Sequence, residues 1–273
     1  MNVLVTGATG FIGKHVIDVL LERGYNVFAM SRNIDLIDKS ERNSKIQYVQ
    51  QDFKSDFSVD FKHVLTKINA VIHLAWEGLP NYKSSFHYEV NLFNQFFFLK
   101  KIISEGINNI IITGTCLEYG MKNGELHVEM TTDPINAYAI AKDSLRKCLF
   151  DYTKETRVEI KWLRLFYMFG NGQSKQSILS QLDLALENGD EIFNMSKGDQ
   201  ERDYLHVSTV AQMIVNHLDK PFTRGIYNIC SGSPIKILDL VNNHLKSVNK
   251  TIKLNIGYYS YNEYEPHSFW GKK

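Results

Sequence analysis

A chain of 273 residues holds one large α/β domain and a small appended lobe. Its 44% hydrophobic and 22% charged content is that of an ordinary soluble globular protein, and a net charge of +1 with no run of Lys or Arg excludes a nucleic-acid or polyanion surface. No apolar run approaches the ~20 residues that span a bilayer, Cys116, Cys148 and Cys230 lack metal-ligand spacing, and the opening apolar stretch is too short for a secretory signal, so a cytoplasmic location without a membrane partner is expected.

In chain order, apolar runs of strand length alternate with segments of helical period. Residues 3–5 read as a first strand, 11–23 as a helix, 26–30 as a second strand and 46–49 as a third. An apolar run at 70–74 is followed by a long helix over 86–105, a strand at 109–113, a helix at 137–154 and a strand at 159–165. This β-α-β alternation predicts an α/β fold, a Rossmann-type doubly wound parallel sheet with helices on both faces. Beyond Gly170 the pattern is less regular, with helices at 176–187, 207–218 and 237–248, a polar loop at 194–203 and a strand at 225–230. The chain is therefore expected to divide into a dinucleotide-binding domain (1–168, with 205–232 returning to the sheet) and a small C-terminal substrate lobe (169–204 and 233–273) on the carboxyl edge of the sheet.

The first strand runs into Gly7-Ala8-Thr9-Gly10-Phe11-Ile12-Gly13 and straight into the first helix. Glycines there permit a tight turn and close backbone approach to a pyrophosphate, which the positive end of the helix stabilises. Glycines also simply make turns, but a position between a strand and an amphipathic helix is the context a dinucleotide site requires. The second strand ends in Ser31 and Arg32, with no carboxylate before Asp35. An Asp or Glu at that place holds the ribose of NAD, whereas an Arg pairs with the 2′-phosphate of NADP, so NADP(H) is expected and NAD(H) is the alternative.

Tyr138 and Lys142 stand four residues apart in a predicted helix, which puts them on one face. A free phenol has a pKa near ~10, and a neighbouring ammonium lowers it enough to make the tyrosine a working acid or base. Alone, this pair is an ordinary solvated helix face. Thr115, just after an apolar strand, adds a hydroxyl able to bond a substrate carbonyl, and the glycine turn adds the hydride carrier.

With these motifs stand Gln51-Asp52-Phe53, His73-Leu74-Ala75, Asn91, the segment 113–120, Leu163-Arg-Leu-Phe-Tyr-Met-Phe-Gly170 and Arg202-Asp-Tyr-Leu-His-Val207. Over nearly its whole length the chain resembles the extended short-chain dehydrogenase/reductases that act on nucleotide sugars, the NAD(P)-dependent family of UDP-galactose 4-epimerase. The resemblance implies that Asp52 and Phe53 flank the adenine, and that Leu74, Ala75, Asn91 and Thr113 line the cofactor cleft. It places Thr115, Cys116 and Tyr167 at the substrate and gives Arg202 the substrate diphosphate, a role suited to a planar multi-donor cation. Trp76, beside Ala75, is a candidate wall at the nicotinamide end. A homodimer through the helices at 86–105 and 137–154 is carried by the resemblance alone.

Departures from the family narrow the reaction. Its 4,6-dehydratases carry Asp-Glu directly after the catalytic Thr, where this chain has Cys116 and Leu117. GDP-fucose synthase places its epimerising Cys at the position of Leu117, which leaves Cys116 as a small buried residue. Many relatives have Asn at the position of Tyr167. What remains is NADPH-dependent reduction of a nucleotide-linked 4-keto-6-deoxyhexose to the 6-deoxyhexose, a step in making bacterial-type surface-sugar precursors. In it Thr115 orients the ketone, Tyr138 protonates its oxygen, and Lys142 tunes Tyr138 and holds the ribose. An NAD-dependent nucleotide-sugar 4-epimerase is the alternative, and a non-catalytic NADP-sensing regulator a more distant one that the retained Thr115, Tyr138 and Lys142 argue against. The histidines are scattered without metal spacing. The aromatic stretch from Tyr258 to Trp270 is expected either to close over the ligand or to pack onto the lobe or a partner subunit.

Overall fold

The computed structural model describes residues 1–34, 45–221, 223–261 and 265–273. In chain order it runs β1 (Asn2–Thr6), α1 (Phe11–Glu22), β2 (Asn26–Ser31), β3 (Ile46–Gln50), α2 (Val59–Leu65) and β4 (Ala70–His73). A π-helical turn (His87–Asn91) leads into α3 (Leu92–Ser104), followed by β5 (Asn109–Thr115), a 3-10 turn (Cys116–Tyr119), β6 (Gly124–Leu126), α4 (Ala137–Tyr152) and β7 (Glu159–Leu165). Then come β8 (Tyr167–Phe169), α5 (Ile178–Asn188), β9 (Ile192–Met195), β10 (Glu201–His206), α6 (Val207–Asp219) and β11 (Gly225–Ile229). The last elements are β12 (Pro234–Lys236), α7 (Ile237–Ser247), β13 (Lys253–Ile256) and β14 (Ser268–Gly271).

Seven strands form one parallel sheet in the order β11-β7-β5-β4-β1-β2-β3. The chain starts in the middle, winds outward through β2 and β3, returns to β4 and winds the other way, which is the doubly wound Rossmann topology. Both faces are covered, so the central strands carry apolar residues at successive positions instead of alternating ones. On one face Val16, Ile17 and Leu20 of α1 and Val210 and Ile214 of α6 pack on Val3, Val5, Ile72 and Ile111. On the other, Phe61 of α2, Phe98, Leu99 and Ile102 of α3, and Leu145 and Leu149 of α4 pack on Leu4, Val71, Ile110 and Ile112.

The remaining strands make a smaller sheet, β12-β10-β14-β6 with β8 beside β10, and a two-stranded pair, β13-β9. α5 and α7 close on that pair around Phe193, Met195, Leu182 and Val241. Residues 194–203, expected as one polar loop, instead end β9 and begin β10, because Phe193 and Met195 alternate into this core. Several elements escaped the sequence reading, α2, β6, β8, β12, β13 and β14 among them. α2 is capped by Ser58, whose hydroxyl accepts from the Phe61 N–H at 3.1 Å, and β6 pairs with the distant β14. Among the described residues no helix is long and apolar enough to cross a membrane.

Candidate active site

The carboxyl ends of β1, β4 and β5 define the cleft. After β1, Gly7 takes φ 68°, a left-handed conformation that favours glycine, and its carbonyl accepts from the Gly10 N–H at 3.0 Å. A Cβ on Gly13 would overlap the Gly7 carbonyl oxygen, and one on Gly7 would lie 2.9 Å from the Ala75 nitrogen. The turn is thus closed against both α1 and the segment after β4. Thr9 and Gly10 are exposed and Phe11 and Ile12 half-buried. α1 has no side-chain N-cap and no acidic residue in its first turn. Its amides and its positive end are therefore open to an anion, and the residues present fit a dinucleotide pyrophosphate.

At the end of β2 the Ser31 hydroxyl donates to the Asn33 carbonyl at 3.0 Å, and Arg32 forms an ion pair with Glu77. Lys54 approaches the other oxygen of Glu77 at 3.4 Å. The sequence offered no carboxylate at this point before Asp35, which lies outside the described residues; the fold brings Glu77 there from the segment after β4. Nearby, an Asp52 carboxylate oxygen accepts from the Lys54 N–H at 3.0 Å, and Phe53 packs edge-on against Phe98. Leu74, Ala75 and Trp76 are half-buried in that segment, and the Ala75 N–H donates to the Thr6 hydroxyl at 3.3 Å. Asn91 is buried, and its amide donates to the Glu77 carbonyl at 3.0 Å. It therefore holds the backbone of the segment after β4.

Thr115 ends β5, while Tyr138 and Lys142 sit one turn apart near the start of α4, which Asn136 caps by accepting from the Ala139 N–H at 2.9 Å. The fold brings all three together. The Thr115 side chain faces the Tyr138 phenol closely enough to favour its ionised form. The Tyr138 ring is enclosed by Trp76, Tyr82 and His87 with ring centres 5.5–5.8 Å away. The Lys142 ammonium donates to the Thr113 carbonyl at 2.8 Å and lies 4.1 Å over the Trp76 ring.

The Tyr138 phenol, expected to be lowered, is instead pushed well above its ordinary value by burial; Tyr82, Glu118 and Cys116 add to this, and Thr115 opposes it. Burial also lowers Lys142 to about 7, against the pull of Glu118.

On the substrate side, burial raises the Cys116 thiol, which behaves as the small buried residue expected of it. The Tyr167 hydroxyl is buried and has no hydrogen-bond partner among the described residues. Arg202, expected at a substrate diphosphate, is buried and already occupied. It donates to the carbonyls of Glu201 and His267 at 2.8 and 2.9 Å and to the Glu265 carboxylate at 3.1 Å, and it stacks over Phe269. Of the aromatic C-terminal stretch, Phe269 is buried in β14 while Tyr258 and Tyr259 are exposed; Asn262, Glu263 and Tyr264 lie outside the described residues.

Sequence reasoning also missed Tyr82, His87 and Glu118. The first two carry no local signal. Glu118 does, because Thr115-x-x-Glu118 has the spacing of a capping box, and the reciprocal bonds are present.

A family model described as "NAD dependent epimerase/dehydratase family" matches residues 3–230. Over the full length of both chains, this one is 27% identical to the dTDP-6-deoxy-L-talose 4-dehydrogenase (NAD(+)) of Aggregatibacter actinomycetemcomitans. It is 25% identical to the GDP-6-deoxy-D-talose 4-dehydrogenase of the same organism, covering 85% of this chain and 75% of that one. The crystal structure of UDP-glucuronic acid 4-epimerase from Bacillus cereus, in complex with UDP-glucuronic acid and NAD, superposes with a TM-score of 0.82 at 24% identity, covering 100% of this chain and 90% of that one. That likeness is one of fold.

Proposed function

The chain belongs to the NAD dependent epimerase/dehydratase family of extended short-chain dehydrogenase/reductases, and from that premise we propose that it is a nucleotide-sugar 4-ketoreductase, reducing a nucleotide-diphosphate-linked 4-keto-6-deoxyhexose with NADPH. The observation that carries this reading is the convergence of Thr115 at the end of β5 with Tyr138 and Lys142, one turn apart at the start of α4. A neutral phenol beside a hydroxyl is the state needed to give a proton to a ketone oxygen. Thr115 orients that oxygen, Tyr138 donates to it, and Trp76 with the neighbouring rings excludes water. A reduced nicotinamide, when bound, supplies the hydride for the carbonyl carbon. Gly7, Thr9, Gly10, Phe11, Ile12 and Gly13 would hold its pyrophosphate, Ser31, Arg32, Asp52 and Phe53 its adenosine end, and Leu74, Ala75, Tyr138 and Lys142 its nicotinamide end.

Support for position 4 comes from the two talose relatives. Each is named a 4-dehydrogenase of a nucleotide-linked 6-deoxyhexose, and dehydrogenation at C4 is this reduction run backwards. The NADP(H) preference rests on Arg32 and Lys54, two cations around one acid. That same acid favours a second reading: Glu77 could accept from a ribose hydroxyl and repel a 2′-phosphate, which suits a retained NAD and a 4-epimerase. We further propose that residues 1–168 with 205–232 bind the dinucleotide, that 169–204 with 233–273 bind the sugar nucleotide, and that the protein is a cytoplasmic homodimer.

The test is cofactor oxidation with a panel of nucleotide-linked 4-keto-6-deoxyhexoses, NADPH and NADH assayed separately. NADPH oxidation well above NADH, lost by 10²-fold or more in Tyr138→Phe, is expected. No oxidation of either cofactor, with a UDP-hexose changing configuration unaided, would replace the reductase by the epimerase.

A further inference from the structure

Directly beneath the Thr115–Tyr138 contact lies a carboxylate with no exposed surface. Glu118, in the 3-10 turn after β5, accepts through one oxygen from the Thr115 N–H and from the Trp162 indole, both at 2.9 Å. Its other oxygen accepts from the Arg164 Nε at 2.8 Å, with the Arg146 Nε at 3.7 Å. Arg164 is itself buried and stacks over Tyr119 of the same turn. Thr115 in return accepts from the Leu117 N–H at 3.3 Å. Gly114 leaves the space for this, since a Cβ there would collide with both Glu118 and the Trp162 ring.

Stability alone gives little reason for such a charge. Burying an ion pair costs desolvation that the attraction often only balances, and an apolar pair of similar volume commonly does as well. The placement is what distinguishes it, since the carboxylate binds the main chain of the residue whose hydroxyl meets Tyr138. We propose that Glu118 is a positioning residue, fixing the Thr115 main chain, and with it the Thr115 hydroxyl, against Tyr138 from inside the core. This rests on the reading of Thr115 and Tyr138 as the reacting set. The same carboxylate favours the protonated forms of both Tyr138 and Lys142. The other titratable groups facing that pair are Tyr82 and His87 from the segment before α3, Cys116 from the turn and His73 from β4.

Two substitutions separate the hydrogen bond from the charge. Glu118→Ala removes both, and Glu118→Gln keeps an oxygen for the Thr115 N–H while giving up the charge and the bond from the Arg164 Nε. Rates are taken per cofactor-binding site, counted by calorimetric titration with NADPH, so that loss of folded protein drops out. Glu118→Ala is expected to lower kcat on the order of tenfold to a hundredfold with KM within about twofold. Glu118→Gln should recover most of kcat at acid pH, while its basic limb moves to lower pH because Tyr138 and Lys142 lose the charge that held their protons. Hydrogen exchange gives a readout without turnover: amides 115–119 should exchange faster in Glu118→Ala and not in Glu118→Gln. Equal kcat per site in all three proteins, or a loss confined to KM, together with unchanged exchange at 115–119, overturns the proposal. If the wild type fails to oxidise either cofactor, the ketoreductase reading falls. The exchange comparison still decides Glu118, and the rate comparison passes to the epimerisation that the same three residues would serve.

Discussion

His73 ends β4 with no exposed surface, its Nδ1 2.9 Å from the Thr6 hydroxyl and its Nε2 2.7 Å from the Gln95 side-chain oxygen. Burial, then the charge of Lys142, pushes it from 6.5 down to about 3, against the hydrogen bond to Gln95. The unfolded chain takes up this proton below its ordinary value, while the folded chain resists it until about pH 3. Its contribution to stability is therefore complete above pH 6.5 and is lost as pH falls towards 3. His217, lowered to about 4 by burial and then by Lys161 and Lys220, acts in the same direction. The denaturation midpoint of His73→Gln should fall less steeply between pH 6.5 and 4 than that of the wild type; parallel slopes would show that His73 is not the titrating group. At this scale the sequence was informative where chemistry depends on local spacing. Tyr138 and Lys142 share a helix face by arithmetic, and Thr115 follows a strand that reads as apolar throughout. It was silent where a partner comes from far away. Glu265 meets Arg202 only because β14 lies beside β10, and Glu77 meets Arg32 only because β4 returns to the centre of the sheet.

The strand-turn-helix unit of β1 and α1 is held by contacts of backbone on backbone. Gly13 is buried in α1 and faces the Gly7 carbonyl, so a methyl group there cannot be relieved by turning a side chain. Gly13→Ala should displace the turn, cost about 1–3 kcal/mol of stability, and weaken calorimetric cofactor affinity at least tenfold. Gly24→Ala is the control: its φ of 78° is strained for alanine, but a Cβ there meets nothing within 4 Å, so it should lose stability and keep cofactor affinity. An unaltered affinity in Gly13→Ala would remove the turn from the proposed pyrophosphate site. Elements of this unit were legible because long apolar strands and amphipathic helices alternate. The small sheet was not, since β6, β8 and β12 are three residues each. Such strands are too short to show alternation, and they are defined by pairing with segments remote in sequence. α2 escaped for a related reason, being seven residues long and carried by a Ser58 cap and the burial of Phe61 more than by a repeating pattern.

Taken whole, the molecule covers both faces of its main sheet but leaves an apolar outer surface on the adjacent helices α3 and α4. Phe93 and Phe97, one turn apart on α3, are each 54% exposed, and Ile140 and Tyr152 of α4 are each 38% exposed. Two phenylalanines at i and i+4 form a stripe on the side of α3 opposite Phe98 and Ile102, which face the sheet. Tyr152 on the second helix, joined to Phe97 through Phe96, extends that stripe into a patch, the kind of surface that in soluble proteins marks association. The proposed homodimer would cover it with a second copy of the chain, since a two-fold axis pairs such a patch with itself. Sedimentation equilibrium at micromolar concentration should therefore return twice the 31.5 kDa chain mass. Phe97→Glu places a charge in the middle of the patch and should return the single-chain mass with an unchanged circular dichroism spectrum, because Phe97 lies outside the chain's own core. A wild-type protein sedimenting as one chain would refute the dimer and leave the patch without an assigned occupant. The site residues Thr115, Tyr138 and Lys142 all come from one chain, so a monomeric Phe97→Glu protein should still bind cofactor, which separates failure of assembly from failure of the site.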